Sequence, residues 1–285
     1  MGNMKNTGVN VIESLKVSEG AKEVLRRIYK VASSENVYVK ETVKNIFVTC
    51  PEGAGLSEYA RAYEKIIIEN EVYRVKGKCT YLELAFPRIG GELEYRKFFD
   101  SPRLVAATIN NFVGVFLISF EQWSGYSELM REKYFKELLQ FIDDNKNNIS
   151  FVFHVMPEFS EKDRLVDLLN SHVNILKVDL KKPDAQEATE YIKDELKNMN
   201  IKFDSCAKKS LEEFILTNVD IESKAYVGYS TLDRLAKDVS FEIFCKLEAN
   251  EDGMMFVDKM IMTELLDDIK FTLNGYETQV KFGFS

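Results

Sequence analysis

A short glycine-containing segment, residues 48–57, constrains the fold of this chain more than any other feature. The mostly apolar residues 45–48 have the length of a buried strand, and residues 58–69 carry apolar side chains at helical spacing. Gly53 and Gly55 lie between these two elements, where a tight turn needs the backbone freedom of glycine. The segment therefore predicts a strand, a turn and a helix, as in α/β folds.

The same segment matches most of a phosphate-binding loop but lacks its charge. Such a loop reads G-x-x-x-x-G-K-[ST]: backbone N–H groups hold the phosphates, the lysine neutralises them and the hydroxyl binds Mg²⁺. Gly55 and Ser57 are in their expected places, whereas Cys50 replaces the first glycine and Leu56 replaces the lysine. We interpret five residues as a vestigial phosphate loop: Gly53, Ala54, Gly55, Leu56 and Ser57.

Two interpretations of the glycines stay open at this point. In the first, the loop is the remnant of a nucleotide site, and the helix that begins at Ser57 still offers oriented N–H groups to a phosphate. In the second, the loop is a strand-to-helix turn whose glycines only permit tight packing.

Composition and charge exclude several classes of protein. The 285 residues are 45 % hydrophobic, which is enough for a substantial core, and no run reaches the roughly 18 apolar residues of a membrane span. A formal net charge of −8 and a pI near 5.1 disfavour nonspecific binding of nucleic acid, because polyanions are repelled. The four cysteines are scattered and residues 1–20 lack a signal-peptide pattern, so we expect a cytoplasmic protein that binds no membrane.

Strands alternate with helices up to about residue 180. Strands are predicted at residues 45–48, 80–86, 113–118, 149–155 and 173–178; helices are predicted at residues 11–31 (with a break near Gly20), 58–69, 92–110 and 126–145. The run at residues 113–118 is almost wholly apolar, as expected of a strand that is buried on both faces of a parallel sheet. The alternation predicts such a sheet, sandwiched by helices.

The pattern changes after Pro183. Helices are predicted at residues 184–199, 204–217, 230–247 and 256–271, and Asp184 and Asp204 stand where N-caps are wanted. We expect two domains: an α/β core with a helical leader at residues 1–180, and a helical lid with a C-terminal tail at residues 181–285. Residues 276–284 alternate partly like a short strand, and a docking tail is the other interpretation.

In this order of elements the chain resembles the AAA+ ATPases, in which a P-loop α/β core precedes a small helical lid. More narrowly, it resembles the branch of Rubisco-activase-like and sporulation stage V K-like proteins. Residues 10–27 look like the leader of that family, residues 113–123 like its Walker B strand and residues 151–154 like its sensor-1 strand. The resemblance implies a P-loop NTPase-like parallel sheet sandwiched by helices, followed by an all-helical AAA+-type lid.

The resemblance also locates the catalytic positions of the family, where the expected residues are missing. A Walker B strand ends in two carboxylates, one for Mg²⁺ and one for the attacking water. Here Ser119 stands at the metal position, and Glu121 is either a displaced carboxylate or a solvated glutamate at the strand end. His154 stands at sensor-1, where it bonds a phosphate or a backbone carbonyl. His172 replaces the arginine finger, and Thr231 the sensor-2 arginine.

These departures predict a catalytically inactive AAA+-like protein. We assign no catalytic residue, because the relevant positions are degenerate: Leu56, Ser119, Glu121, His154 and His172. We expect a structural or regulatory subunit that assembles with itself or with active AAA+ proteins. No resident cofactor or metal is expected, and ATP or ADP with Mg²⁺ would bind only weakly.

The alternative is a weak or unorthodox ATP-binding protein or ATPase of the AAA+ class. In that interpretation Lys65 or Lys44 replaces the missing lysine by reaching the turn at residues 53–57. Gly90 and Gly91 stand where the family carries a pore loop, and an ordinary connection explains them equally well.

Overall fold

A five-stranded parallel sheet forms the centre of the structure, which is a computed structural model. Its strands are β1 (Asn45–Thr49), β2 (Cys79–Ala85), β3 (Val113–Ser119), β4 (Ile149–Val155) and β5 (Ile175–Asp179). They lie in the order β2-β3-β4-β1-β5, and every neighbouring pair is parallel. All five predicted strands are present, within two residues of their predicted ends.

The structure describes residues 7–73, 79–85, 113–219, 226–247 and 253–266. The predicted helix at residues 92–110, the glycines Gly90 and Gly91 and the tail at residues 276–284 lie outside these ranges. The chain divides into two compact units, one with residues 1–51 and 55–181, the other with residues 52–54 and 182–285.

Helices cover the sheet of the first unit. They are α1 (Thr7–Ser14), α2 (Glu19–Ala32), α3 (Val37–Lys40), α4 (Leu56–Glu69), α5 (Glu128–Asn145) and α6 (Lys162–Asn170). The break between α1 and α2 lies at residues 15–18, just before the predicted position at Gly20, because the side chain of Ser18 caps α2 by accepting from the N–H of Ala21. The predicted helix from residue 126 begins at Glu128 and follows a 3-10 turn, Trp123–Gly125.

Strands β3 and β4 are buried on both faces. Phe116 on β3 and Phe151 on β4 pack with Phe141 of α5 in one aromatic cluster. The neighbouring Val115 and Val152 point to the opposite face, where both are fully buried. Because α4 packs against β3, and α1 and α2 pack against α4, this face is also covered by helices. The predicted parallel sheet sandwiched by helices is confirmed.

The second unit is mostly helical. It contains α7 (Ala185–Asn198), α8 (Ser205–Asn218) and α9 (Gly228–Lys246), and residues 259–266 are also helical. The predicted start of the last helix, at residue 256, is wrong, because Phe256 belongs to a short strand, β7 (Met255–Val257). This strand pairs in parallel with β6 (Ile201–Phe203). Among the residues that the structure describes, no helix is both long and apolar enough to cross a membrane.

Both predicted N-caps of this unit are present. The carboxylate of Asp184 accepts from the N–H of Glu187 at 2.9 Å, and the Glu187 carboxylate accepts from the N–H of Asp184 at 3.0 Å, which completes a capping box on α7. Asp204 accepts from the N–H of Ala207 at 2.6 Å and caps α8. The two carboxylates therefore fix where these helices begin.

Replacing Asp184 by alanine removes the acceptor of the capping box. We expect Asp184→Ala to lower the free energy of unfolding of the second unit by about 1 kcal/mol, because an N–H of the first turn of α7 loses its partner. Urea denaturation followed by circular dichroism measures the change. Asp184→Asn is the control, since asparagine caps a helix as well as aspartate does, and an equal loss in both variants would contradict the capping role.

Candidate functional site at the carboxyl edge of the sheet

Three neighbouring strands bring Cys50, Ser119 and His154 together at the carboxyl edge of the sheet. In the sheet register, Ser119 of β3 and Val48 of β1 are both partners of His154 on β4. The hydroxyl of Ser119 lies 2.9 Å from Nδ1 of His154, and Nε2 of His154 lies 2.9 Å from the carbonyl oxygen of Cys50. One imidazole therefore links the end of β3 to the start of the glycine loop.

The two hydrogen bonds determine how the His154 ring is protonated. The carbonyl of Cys50 only accepts, so Nε2 carries the proton and donates it. In the neutral ring Nδ1 then accepts from the hydroxyl of Ser119. Burial lowers the pKa of His154 below its ordinary value of 6.5, although the hydrogen bond to Cys50 and the nearby charge of Glu121 act in the opposite direction. His154 is therefore a neutral, fully engaged side chain at neutral pH.

Glu121 lies just beyond the end of β3. A displaced carboxylate would need Glu121 to continue strand β3 on the face of Ser119, but β3 ends at Ser119 and Glu121 lies in the following turn. Its side chain is exposed, and its N–H donates to the hydroxyl of Ser119 at 3.4 Å. Of the two interpretations of Glu121, the solvated glutamate agrees with this geometry.

The loop residue Gly53 is required by packing. Residues 52–54 group with the second unit, where the carbonyl of Gly53 accepts from the N–H of Tyr229 at 2.9 Å. Gly53 has a φ of +77°, and a Cβ on it would lie 2.3 Å from the carbonyl oxygen of Val227. Gly228 has a φ of +48°, and a Cβ there would lie 2.3 Å from the carbonyl oxygen of Gly53. This contact supports the interpretation in which a loop glycine permits tight packing.

The start of α4 keeps one feature of a phosphate site. Gly55 precedes the helix in the left-handed conformation, with φ +82°, and no side chain caps the first turn. Leu56 and Ser57 are half-buried at its first two positions, and Ala54 before them is buried. The first N–H groups of α4 therefore have no intrahelical acceptor, which is the arrangement that favours an anion.

Neither lysine proposed as a substitute can serve this loop. Lys44 precedes β1, so the full length of a five-residue strand, about 16 Å, separates its backbone from the loop after Thr49. Lys65 lies nine residues beyond the first residue of α4, Leu56, which is about 14 Å along the helix axis. A lysine side chain reaches only about half of either distance, since it spans roughly four carbon–carbon bonds. The lysine replacement is therefore wrong for both residues.

The position predicted for an arginine finger is occupied by a histidine that is hydrogen-bonded to a carboxylate. His172 follows α6, and its Nδ1 lies 2.7 Å from a carboxylate oxygen of Asp143 on α5. Hydrogen bonds from Lys146 and His172 lower the pKa of Asp143. His172 therefore joins the end of α6 to α5 within the first unit.

The sensor-2 position carries a backbone-bonding threonine. In the second unit, the hydroxyl of Thr231 accepts from the N–H of Val227 at 2.8 Å, at the beginning of α9. The nearby Arg234 is exposed. Thr231 thus stabilises the start of α9, the helix on which the resemblance places the sensor-2 arginine.

A Mg²⁺–triphosphate group does not fit the residues present. The metal position is a hydroxyl that is already bonded to His154, and the position of the lysine is a half-buried leucine. Mg²⁺ needs oxygen ligands such as carboxylates in near-ideal octahedral geometry, and neither Ser119 nor Leu56 supplies a charged oxygen. The uncapped amides of α4 match a phosphate, and the hydroxyl of Ser57 stands where a phosphate loop binds Mg²⁺, but neither group supplies a charge.

Several solved structures share the fold of this chain. The chain has an AAA+ ATPase-like fold: it superposes on PCH-2 of C. elegans with a TM-score of 0.57 at 16 % identity, covering 94 % of this chain and 74 % of PCH-2. A point mutant of Thermotoga maritima RuvB gives a TM-score of 0.54 at 14 % identity, covering 91 % and 72 % of the two chains. The T. maritima RuvB Holliday junction branch migration motor gives 0.51 at 13 % identity, covering 88 % and 69 %. No protein-family model and no curated protein matches the sequence.

The sequence pattern predicts only part of the hydrogen-bonded chain from Ser119 through His154 to Cys50. Of the two partners considered for His154, a phosphate or a backbone carbonyl, the structure shows the carbonyl of Cys50. The bond between Ser119 and His154 is not predicted. The sequence does not show which way a side chain points or which residues are neighbours across the sheet. The bond between Ser119 and His154 therefore becomes evident only from the register of β3 and β4.

The buried imidazole gives the chain a defined pH dependence. Because the pKa of His154 is lowered in the native state, the unfolded chain takes up a proton at higher pH than the native chain does. The stability contributed by neutral His154 is complete above the unfolded pKa of 6.5 and is lost as the pH falls below it. We expect the urea midpoint of His154→Gln to fall less than that of the unmodified chain between about pH 7.5 and about pH 5.5.

Proton NMR of the histidine rings gives an independent measurement, because the chain has only two histidines. His172→Gln leaves His154 as the single titrating imidazole, which we expect to titrate below 6.5. A midpoint at or above that value would contradict the buried neutral ring.

Proposed function

We propose that this chain is a catalytically inactive AAA+-like protein that acts as a structural or regulatory subunit in an assembly. The observation that carries the proposal is the hydrogen-bonded chain of Ser119, His154 and Cys50. Ser119 and His154, the residues at the predicted metal and sensor-1 positions, bind each other and the backbone, so their polar groups are already engaged within the protein. A fold that keeps its sheet while these groups bind one another supports a role that does not need phosphoryl transfer.

Energetic considerations support the loss of hydrolysis. Phosphoryl transfer depends on fixed charges that stabilise the transition state, and the removal of one such group typically costs about 10²–10³ in rate. Here Leu56, Ser119 and His172 replace three charged groups on one chain. Together these replacements remove most of the charges that would stabilise the transition state.

Exposed aromatic side chains support the assembly part of the proposal. Phe241 and Phe244 lie one turn apart on α9 and are 65 % and 50 % exposed, respectively. Large apolar side chains that share one exposed helix face are typical of protein–protein contacts. This face of α9 is a candidate contact with another subunit.

A comparison of ATP binding and hydrolysis tests the catalytic part. We expect no turnover above background by the unmodified chain, and no saturable heat of binding with Mg²⁺–ATP up to about 1 mM in calorimetry. Leu56→Lys restores one positive charge and should strengthen ATP binding without restoring turnover, because the carboxylate at position 119 is still missing. Leu216→Lys, which adds the same charge at an exposed leucine of the second unit, is the control.

Turnover by the unmodified chain that is lost in Ser119→Ala would overturn the proposal. Equal effects of Leu56→Lys and Leu216→Lys would show that the added charge acts nonspecifically and not at the loop.

A second candidate function is the binding of a nucleotide as a structural ligand without hydrolysis. The uncapped amides at the start of α4 favour it, because they provide oriented donors for a phosphate without a metal. Saturable ATP or ADP binding by the unmodified chain, with no turnover and no requirement for Mg²⁺, would support this candidate over the first.

The assembly part predicts oligomers that do not respond to nucleotide. We expect light scattering coupled to gel filtration to show species larger than the 32.9 kDa chain, with a distribution unchanged by ATP and Mg²⁺, since no charged residue couples the site to a ligand. Phe241→Ser/Phe244→Ser should shift the distribution toward the monomer, whereas Glu264→Gln, an exposed change elsewhere in the second unit, should not. A monomer at all concentrations would exclude self-assembly and leave only assembly with other proteins.

A further inference from the structure

A cavity of about 320 Å³ lies in the first unit between α5, α6 and the turns that follow β3 and β4. Its apolar wall consists of Trp123, Phe135 and Phe159, together with Leu165 and Leu168 of α6. Trp123 and Phe135 contact edge to face with their ring centres 6.0 Å apart. The cavity is separate from the Ser119–His154–Cys50 site, and its volume suits one or two large apolar side chains.

One wall of this cavity carries a guanidinium with spare donors. Nη1 of Arg131 binds the carboxylate of Glu161 at 2.5 Å, while Nε of Arg131 is buried and has no hydrogen-bond partner. No hydrogen bond within the described part of the chain engages Nη2, and the side chain is 26 % exposed. Nε is inaccessible, so Nη2 is the group of Arg131 from which a carbonyl oxygen in the cavity can accept.

The rim of the cavity has an excess of negative charge. Glu161 pairs with Arg131 and, at 3.9 Å, with the mostly exposed Arg164. Glu128 and Glu132, one turn apart on α5, are exposed and take part in no ion pair within the described residues. With three glutamates against two arginines the cavity wall carries a net charge of −1, and the carboxylates of Glu128 and Glu132 lie together on α5.

The wall of the cavity spans two helices. Leu168, on the α6 side of the cavity wall, is 42 % exposed, and the carboxylates of Glu128 and Glu132 lie on the α5 side. An occupant that covers Leu168 and also reaches these carboxylates has to be longer than a single side chain. This favours an extended segment over a compact small molecule.

We propose that this cavity is a docking site for an extended peptide segment of another protein, in which large apolar side chains are flanked by basic residues. The apolar side chain packs against Trp123 and Phe135, a main-chain carbonyl accepts from Arg131, and the basic residues pair with Glu128 and Glu132. The segment gains specificity from charge and affinity from apolar burial. The proposal does not rest on the loss of ATPase activity, because none of these residues belongs to the nucleotide site.

Fluorescence of Trp123 tests the proposal directly, because it is the single tryptophan of the chain. The probe is a blocked tetrapeptide Lys-Leu-Phe-Lys, compared with Glu-Leu-Phe-Glu and Lys-Ser-Ser-Lys. We expect a saturable change of emission with the first peptide, weakened by added salt, and at least about tenfold weaker binding of the other two.

Charge-neutral variants locate the binding surface. Glu128→Gln/Glu132→Gln should weaken binding of the basic peptide about fivefold, because two exposed ion pairs are lost. Glu137→Gln/Asp144→Asn removes two charges from the same helix outside the cavity wall and should leave binding unchanged. Both double variants change surface residues, and circular dichroism confirms that each is folded.

Three results would overturn the proposal. They are the absence of a saturable emission change with Lys-Leu-Phe-Lys, equal binding of the acidic peptide, and equal weakening by the two double variants. Equal binding of the acidic peptide would show that the cavity takes apolar groups without regard to charge.

Discussion

Burial of β3 and β4 on both faces of the sheet is the constraint on which the rest of the first unit depends. A strand that is covered by helices on two sides has room for apolar side chains along its length, so polar residues are tolerated only at its ends or with full hydrogen bonding. Ser119 ends β3, and His154 is the one imidazole of β4. Both stand at the carboxyl edge, where ligands bind in open α/β sheets, whereas the buried Ser150 near the start of β4 bonds to Tyr73.

The same constraint explains why the polar groups at this edge bond to one another. An unpaired polar group in such a position costs about 1–3 kcal/mol, so the hydroxyl of Ser119, the ring of His154 and the carbonyl of Cys50 are more stable when they satisfy one another. A metal or phosphate would have to break these bonds before it gained any of its own. Position 56 has no lysine and position 119 has no carboxylate to offset that cost. The arrangement in which Ser119, His154 and Cys50 bond to one another is therefore the more stable one.

Much of the fold follows from the sequence, because five strands of four to seven residues and the longer helices have clear periodicities. The short strand β7 does not, since three residues next to a helix carry no measurable period and its partner β6 lies more than fifty residues away. For the site, the pattern correctly singles out Ser119 and His154 but gives no hydrogen-bond direction. The error over Lys44 has a different origin: the residue is close in sequence but at the wrong end of its own strand.

Close packing explains the loop glycines. The carbonyl of Gly53 accepts from the N–H of Tyr229, and a Cβ on Gly53 or on Gly228 would collide with the backbone of Val227 or of Gly53, respectively. This requirement persists whether or not a phosphate binds. A glycine in such a loop is therefore evidence for the fold, and only a charged group beside it is evidence for the chemistry. Since Leu56 stands where that charge is needed, the uncapped amides of α4 are the remaining feature from which nucleotide affinity could arise.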